Sequence, residues 1–489
     1  MMMRVLPVML LFISVAMVIG CPELCECVDY RVHCNKTGLS TIPDDLPPTT
    51  KVLSVSSNQM TKINSNALNN MSNLLVLDLS DNLISVINGS MFEGLNNLST
   101  LRMDSNKLTT LDEYTFISLT ELDFLRLDKN ELSEISPSAF KNLSSLRTLR
   151  IDYNMWTTIG DFTFESLTAL EILRLDNNRL TRIAETAFND LSSLRILRFD
   201  NNFLTSTSGL QNCTALQVLC LNGNRLTVID QFAFKNCVNL ETLRLENNLI
   251  TSIHKRSFES LVKLKILRIE NNKLTSIETP TFTYLVNLKT LYFFDNRLET
   301  IDEDAFSNME KLEILRLTGN KLATLEENTF LSLQSLRFLH LHTNQLTTFG
   351  GNTFQPLTNL EVLTINNNFL VCECSLHPFV KWLNQTKSKV IGATCNDTNI
   401  QVTDFPFRKC YDEGVNATEI TEFVPAADDD SIGIVLLSTI MAGCVLFIVA
   451  VCLCIKCRTN RKDMFDHSEL TNSKSLDRSL SGTQSKSAS

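Results

Sequence analysis

At 489 residues the chain is long enough for roughly three ordinary domains, and its formal net charge is −10. Setting aside Arg4 and the seven bases and four acids from residue 456 onward leaves 36 bases against 50 acids, a net of −14. So acidic a body excludes binding nucleic acid or polyanionic sugar through bulk charge.

Residues 1–20 read as a secretory signal peptide: Arg4 supplies the positive start, Val5 to Ile19 the apolar stretch, and Val18 and Gly20 the small-residue cleavage site. The mature chain therefore enters an oxidising compartment. A cysteine-rich segment, residues 21–50, follows with Cys21, Cys25, Cys27 and Cys34; a matching cluster, Cys372, Cys374, Cys395 and Cys410, lies in residues 371–410. Secretion favours disulfides over zinc at both, since neither group has the spacing of two paired C-x-x-C ligand sets. Sequence alone leaves three connectivities for each cluster.

Between the clusters, residues 51–370 repeat Leu-x-x-Leu-x-Leu-x-x-Asn fourteen times, with Asn at 58, 82, 106, 130, 154, 178, 202, 224, 248, 272, 296, 320, 344 and 368. Twelve of the thirteen intervals are 24 residues. A fixed period of this length predicts an α/β solenoid, a horseshoe whose units bury their apolar faces only by stacking. Leu stands five residues before the Asn in all fourteen units, and its alternation predicts a short strand pointing inward in a parallel concave sheet. The Asn amide is expected to satisfy loop backbone groups of neighbouring units. Phe recurs ten residues after the Asn at 92, 116, 140, 164, 188, 234, 258, 282, 306, 330 and 354, an apolar spine on the convex side. The seventh unit, Asn202 to Asn224, is only 22 residues long and places Leu210 where the Phe would be, which should perturb curvature locally.

Beyond the second cluster come an acidic stalk (411–431), a 24-residue uncharged run from Ile432 to Ile455, and a tail (456–489). The run is long enough to span a bilayer of ~30 Å hydrocarbon thickness. Asp428, Asp429 and Asp430 before it and Lys456, Arg458, Arg461 and Lys462 after it orient a single-pass, type I plasma-membrane protein with its N-terminus extracellular. The tail is expected to be disordered and has no Tyr, so signalling would run through a partner that the sequence does not identify. Its serines suit phosphorylation, and Cys452, Cys454 and Cys457 suit palmitoylation at the inner boundary.

The block CPELCECVDYRVHCNKTGLSTIPDDLPPTTKVLSVSSNQMTKI resembles the cysteine-rich N-cap of extracellular leucine-rich-repeat proteins, in particular that of variable lymphocyte receptors. FLVCECSLHPFVKWL, with Cys395 and Cys410, is similar to the matching C-cap. The resemblance implies the pairs Cys21 with Cys27, Cys25 with Cys34, Cys372 with Cys395, and Cys374 with Cys410. It also favours recognition as the function. Two departures stand out: only 14 residues separate Cys395 from Cys410, leaving no protruding insert, and the exit is a short acidic stalk. Somatic diversification is not carried over.

Residues six, four and two before each Asn are expected on the concave surface. Arg occupies the middle position at 102, 126, 150, 174, 198, 244, 268 and 316, and seven of these eight are followed two residues later by Asp or Glu, a self-neutralising ladder. The ladder breaks in the C-terminal third. There Tyr292, Phe294, Phe338, His340 and His342 join Arg268 and Arg316 as the candidate ligand site, because interface centres are enriched in aromatics and Arg. The two histidines read as surface residues rather than metal ligands. Nine glycosylation sequons begin at Asn35, Asn70, Asn88, Asn97, Asn142, Asn212, Asn384, Asn396 and Asn416; none is at a concave strand position, and the gap after Asn212 flanks the aromatic patch.

Three further cysteines remain. Cys213 and Cys237 read as buried thiols that adjacent coils could bring within disulfide range. Cys220 takes the place of Arg on the concave face, either as an outward thiol that pairs two copies into a homodimer or as a shielded one. No nucleophile with a positioned base, paired catalytic carboxylates or phosphate loop is present, so neither an enzyme nor a cofactor is expected. The sequence thus predicts a cell-surface receptor binding an extracellular protein or microbial glycoconjugate on its concave face. The rival is an adhesion or matrix-organising protein acting through repeat contacts.

Overall fold

In the computed structural model the described residues are 20–407 except Asn212. The expected signal peptide, stalk, membrane span and tail, together with Cys410 and the sequons at Asn212 and Asn416, lie outside them. Among the described residues no helix is long and apolar enough to cross a membrane.

Each unit contributes one three-residue strand, from Val52–Ser54 to Val362–Thr364, and these align in parallel with their inward Leu side chains in register. Leu53 pairs with Leu77, Leu77 with Leu101, and so on along the sheet, all of them fully buried. The cysteine-rich ends extend the same sheet. Arg31–His33 pairs in parallel with Val52–Ser54 and is itself covered by antiparallel Glu26–Val28, while Lys389–Ile391 adds in parallel to Val362–Thr364. Such flanking strands occupy edges that would otherwise present unpaired backbone groups.

The Asn column ties successive turns together. Asn106 Nδ2 donates to its own Met103 carbonyl at 3.2 Å and to Leu79 of the preceding unit at 2.9 Å, while its Oδ1 accepts from Ile84 N–H at 3.0 Å. The same arrangement recurs from Asn82 to Asn368. The residue just before each Asn has positive φ in all fourteen units, for example Lys129 at 56° and Asn271 at 55°. Asn, Asp or Gly fills nine of these positions, the types that tolerate left-handed backbone best.

Phe92, Phe116, Phe140, Phe164 and Phe188 stack at 5.8–6.3 Å between ring centres, and Phe234, Phe258 and Phe282 do so at 6.0–6.2 Å. The short seventh unit leaves the concave register intact, since Leu197, Leu219 and Leu243 still pair in line. Its two missing residues are taken from the return. Gly209 (φ 84°) passes so close to the preceding turn that a Cβ there would meet the Ala184 carbonyl at 2.6 Å. Phe199 meets Phe188 edge-on at 5.9 Å beside that gap in the spine. At the far end the helix His377–Gln385 buries Phe379, Val380 and Trp382, and Phe354 packs 5.1 Å from Phe379 and 5.3 Å from Trp382.

Disulfides join Cys21 to Cys27, Cys25 to Cys34 and Cys372 to Cys395. Cys374 is also disulfide-bonded. These bonds mark the described part as an extracellular or secreted domain.

Candidate functional site

The acidic column does not lie on the surface as expected from alternation. Asp128 is 0 % and Glu270 1 % exposed, and Asp104, Asp152, Asp176, Asp200 and Glu246 are also buried. The strand ends at the Arg, and the left-handed residue before each Asn turns the chain so that the acid sits under the guanidinia. Arg126 Nε and Nη2 donate to the two oxygens of Asp128 at 3.0 and 3.1 Å, and Arg126 also reaches Asp104 at 3.3 Å. Arg150, Arg174 and Arg198 likewise bridge their own acid and that of the preceding unit. The ladder is therefore a half-buried network of alternating charge. Asp152 shows what burial costs: its carboxyl is pushed up to about 6, first by burial and then by Asp176 and Asp128, against Arg174 and Arg150.

Cys220 is buried as well, so of its two readings the shielded thiol holds and the outward thiol available for dimerisation does not. Its thiol is pushed up to about 12, first by burial and next by the Asp200 charge. Cys220 stands between Arg198 and Arg244 in the strand register, where its side chain is far shorter than theirs.

Arg316 is exposed, and among the described residues no carboxylate is within ion-pair distance of it. Thr318 holds the place of its acid, and Phe294 that of the preceding one. Its guanidinium instead lies 4.9 Å from the centre of the Tyr292 ring, which Arg268 approaches from the other side at 5.5 Å. Tyr292 and Phe294 meet edge to face at 6.3 Å.

His340 pairs with Arg316 in the register, and its ring is 6.5 Å from that of His342. Burial first, then the Arg316 and His342 charges, push the His340 imidazole down to about 4, so it is neutral at physiological pH. His342 is lowered by burial and Arg316, with Asp295 opposing. His340 Nδ1 is 3.1 Å from Thr364 Oγ1, a contact the sequence did not announce. Phe338 stands one column away, aligned with Ile314 and Val362, beneath the Arg337 guanidinium at 5.3 Å. The structure thus groups Arg268, Tyr292, Phe294, Arg316, His340 and His342, with Phe338 on the flank. Among the described residues no cluster of three or more His, Cys, Asp or Glu is placed to hold a metal ion.

All seven described sequon asparagines are exposed: Asn35, Asn70, Asn88, Asn97, Asn142, Asn384 and Asn396. A hollow of about 310 Å³ lined by Lys263, Lys265, Lys289 and Lys311 lies ahead of the concave strands. Its lysines are engaged, Lys265 by Glu241 and Lys289 by Glu313 at 2.8 Å each, Lys263 by Asn239 and Lys311 by Asn287.

A stacked parallel sheet braced by Asn and Phe columns, presenting one continuous face of variable side chains, defines a repeat-solenoid scaffold. The chain belongs to the leucine-rich-repeat family. The family's leucine-rich-repeat pattern matches residues 48–108, 96–156, 262–322 and 310–370, and the BspA-type leucine-rich-repeat region matches residues 134–264 in six copies. Members of this family are typically non-enzymatic protein-interaction modules.

Among curated proteins, human decorin is 39% identical over 57 residues, 12% of this chain and 16% of decorin. The match therefore spans about a sixth of that relative's length. Among solved structures, a leucine-rich-repeat protein of Leptospira interrogans superposes with a TM-score of 0.58 and 26% identity, covering 73% of this chain and 94% of that one. Toll of Drosophila, in its glycosylated complex with Spatzle, superposes at 0.51 with 22% identity, covering 74% of this chain and 61% of the other.

Proposed function

We propose that this protein is a single-pass cell-surface receptor that captures an extracellular protein or glycoconjugate ligand on its concave face, centred on Arg268, Tyr292, Phe294 and Arg316. The observation that carries this reading is Arg316, the one arginine of its column left without a carboxylate among the described residues. Each of the other seven guanidinia of this column meets a carboxylate of the protein itself; here the fork is free to grip a carboxylate or phosphate of the ligand in bidentate fashion. Tyr292 and Phe294 supply the apolar contact beside it, and neutral His340 adds no competing charge.

The membrane anchor rests on the uncharged run Ile432 to Ile455 and its basic flank. The cysteine-rich ends, similar to those of variable lymphocyte receptors, support immune-type recognition. Toll seen in complex with Spatzle is a protein of like fold that engages a protein ligand.

The test displays the full chain on cells and screens it against microbial and animal cell surfaces. Capture of one class that falls at least tenfold with Arg316→Ala, and with Tyr292→Ala plus Phe294→Ala, at unchanged surface expression, supports the site. Undiminished capture moves the site elsewhere. Clustering of displaying cells with one another, without microbial capture, makes the protein an adhesion molecule instead.

A further inference from the structure

Two buried cysteines outside the terminal clusters remain unexplained by the recognition site. Cys213 and Cys237 occupy the same position of adjacent units, eleven residues before the repeat Asn, where every other unit from Asn82 onward carries Leu or Met. They are 3 % and 0 % exposed, and both are free thiols in the structure. Each thiol perturbs the other, Cys213 being raised and Cys237 lowered by its partner, as neighbouring groups do.

The geometry suits a covalent bond. Cys213 and Cys237 each stand three residues after the spine position, held by Leu210 and Phe234, and in the flanking units rings at that position lie 5.8 and 6.2 Å apart. Disulfides need Cα atoms about 4.4–6.8 Å apart. The same domain already carries disulfides at both ends, so it matures where thiols are oxidised. The location also has a mechanical meaning. The seventh unit is the short one, its spine position holds Leu210, and Cys237 Sγ lies 3.4 Å from the Leu210 carbonyl.

We infer that Cys213 and Cys237 are a disulfide site that staples the short seventh unit to the eighth where the aromatic spine is interrupted. The bond forms before the two turns close, because folded burial keeps both sulfurs from an oxidant. In the open chain the Cys237 thiol loses its proton to water and attacks the disulfide of a thiol–disulfide oxidoreductase. A mixed disulfide forms and one oxidant sulfur leaves as thiolate. The Cys213 thiolate then attacks the Cys237 sulfur, expelling the second oxidant thiolate. The protein loses two protons and two electrons, and the oxidant is reduced to its dithiol. Closing of the turns then shields the bond from reduction.

The experiment expresses the full chain through the secretory pathway of an animal cell, denatures it without reductant in excess iodoacetamide, removes N-glycans and maps the peptides by mass. The expected result is a cross-linked species joining the Cys213 and Cys237 peptides, lighter than their sum by two hydrogen atoms, with Cys220 carbamidomethylated. Recovery of Cys213 and Cys237 as separate carbamidomethylated peptides overturns the inference, as does a link from either to another cysteine. In Cys237→Ser, Cys213 should become alkylated; if it stays blocked, its partner is not Cys237.

Discussion

Arg126 and Asp128 form a closed fork: two hydrogen bonds of 3.0 and 3.1 Å join a guanidinium with a 7 % exposed side chain to a carboxylate with none. Burial pushes the Asp128 carboxyl up, but the Arg126 hydrogen bonds and the Arg150 and Arg126 charges outweigh it, so the net direction is down. Removing this cation takes both fork hydrogen bonds from a fully buried acid and leaves it only the longer Arg150 contact at 3.6 Å. Arg126→Ala should lower stability by about 3–5 kcal/mol, read as a shift in the denaturant midpoint. A change inside experimental error would show that the ladder is ornament rather than structure.

Asp152 behaves in the opposite sense. A carboxyl raised to about 6 holds its proton more tightly in the folded state than in the unfolded chain. Its contribution to stability is therefore full below about pH 4 and lost as pH rises through about 6. Asp152→Asn cannot titrate, so relative to that variant the wild-type protein should weaken across this window by on the order of 1–3 kcal/mol. Parallel stability curves for the two proteins between pH 4 and 7 would refute the assignment.

The Asn column makes a third expectation. Asn178 donates to Ile151 at 2.9 Å and Leu175 at 3.2 Å and accepts from Trp156 N–H at 3.1 Å. Asn178→Ala orphans these buried groups at a cost of about 3 kcal/mol. Hydrogen exchange should accelerate at Trp156 before it does at distant units. Uniform exchange along the solenoid would mean that the amide is not a local clasp.

Much of this was legible in the letters. The invariant Leu, the Asn and the Phe each recur at a fixed offset because each answers a need that every unit shares: burial, backbone satisfaction and filling of the convex side. The break of the ladder at Arg316 was legible too, since seven of eight arginines are followed by an acid and this one by Thr318. The acids were misplaced because simple alternation was extended past the strand end. The left-handed residue before the Asn was written in nine Asn, Asp and Gly residues, but its effect on the preceding side chain depends on backbone geometry.

The repeated sequence by itself determined the solenoid, its register and its unit count, because one-dimensional stacking turns a period directly into architecture. Only the tertiary structure decided which charges are buried, that Cys220 is shielded while Cys213 and Cys237 are buried on adjacent turns, and that Tyr292 lies between two guanidinia. Those relations join residues about 24 positions apart on neighbouring turns, and the distance and shielding between turns are set by packing rather than by the identity of any one residue.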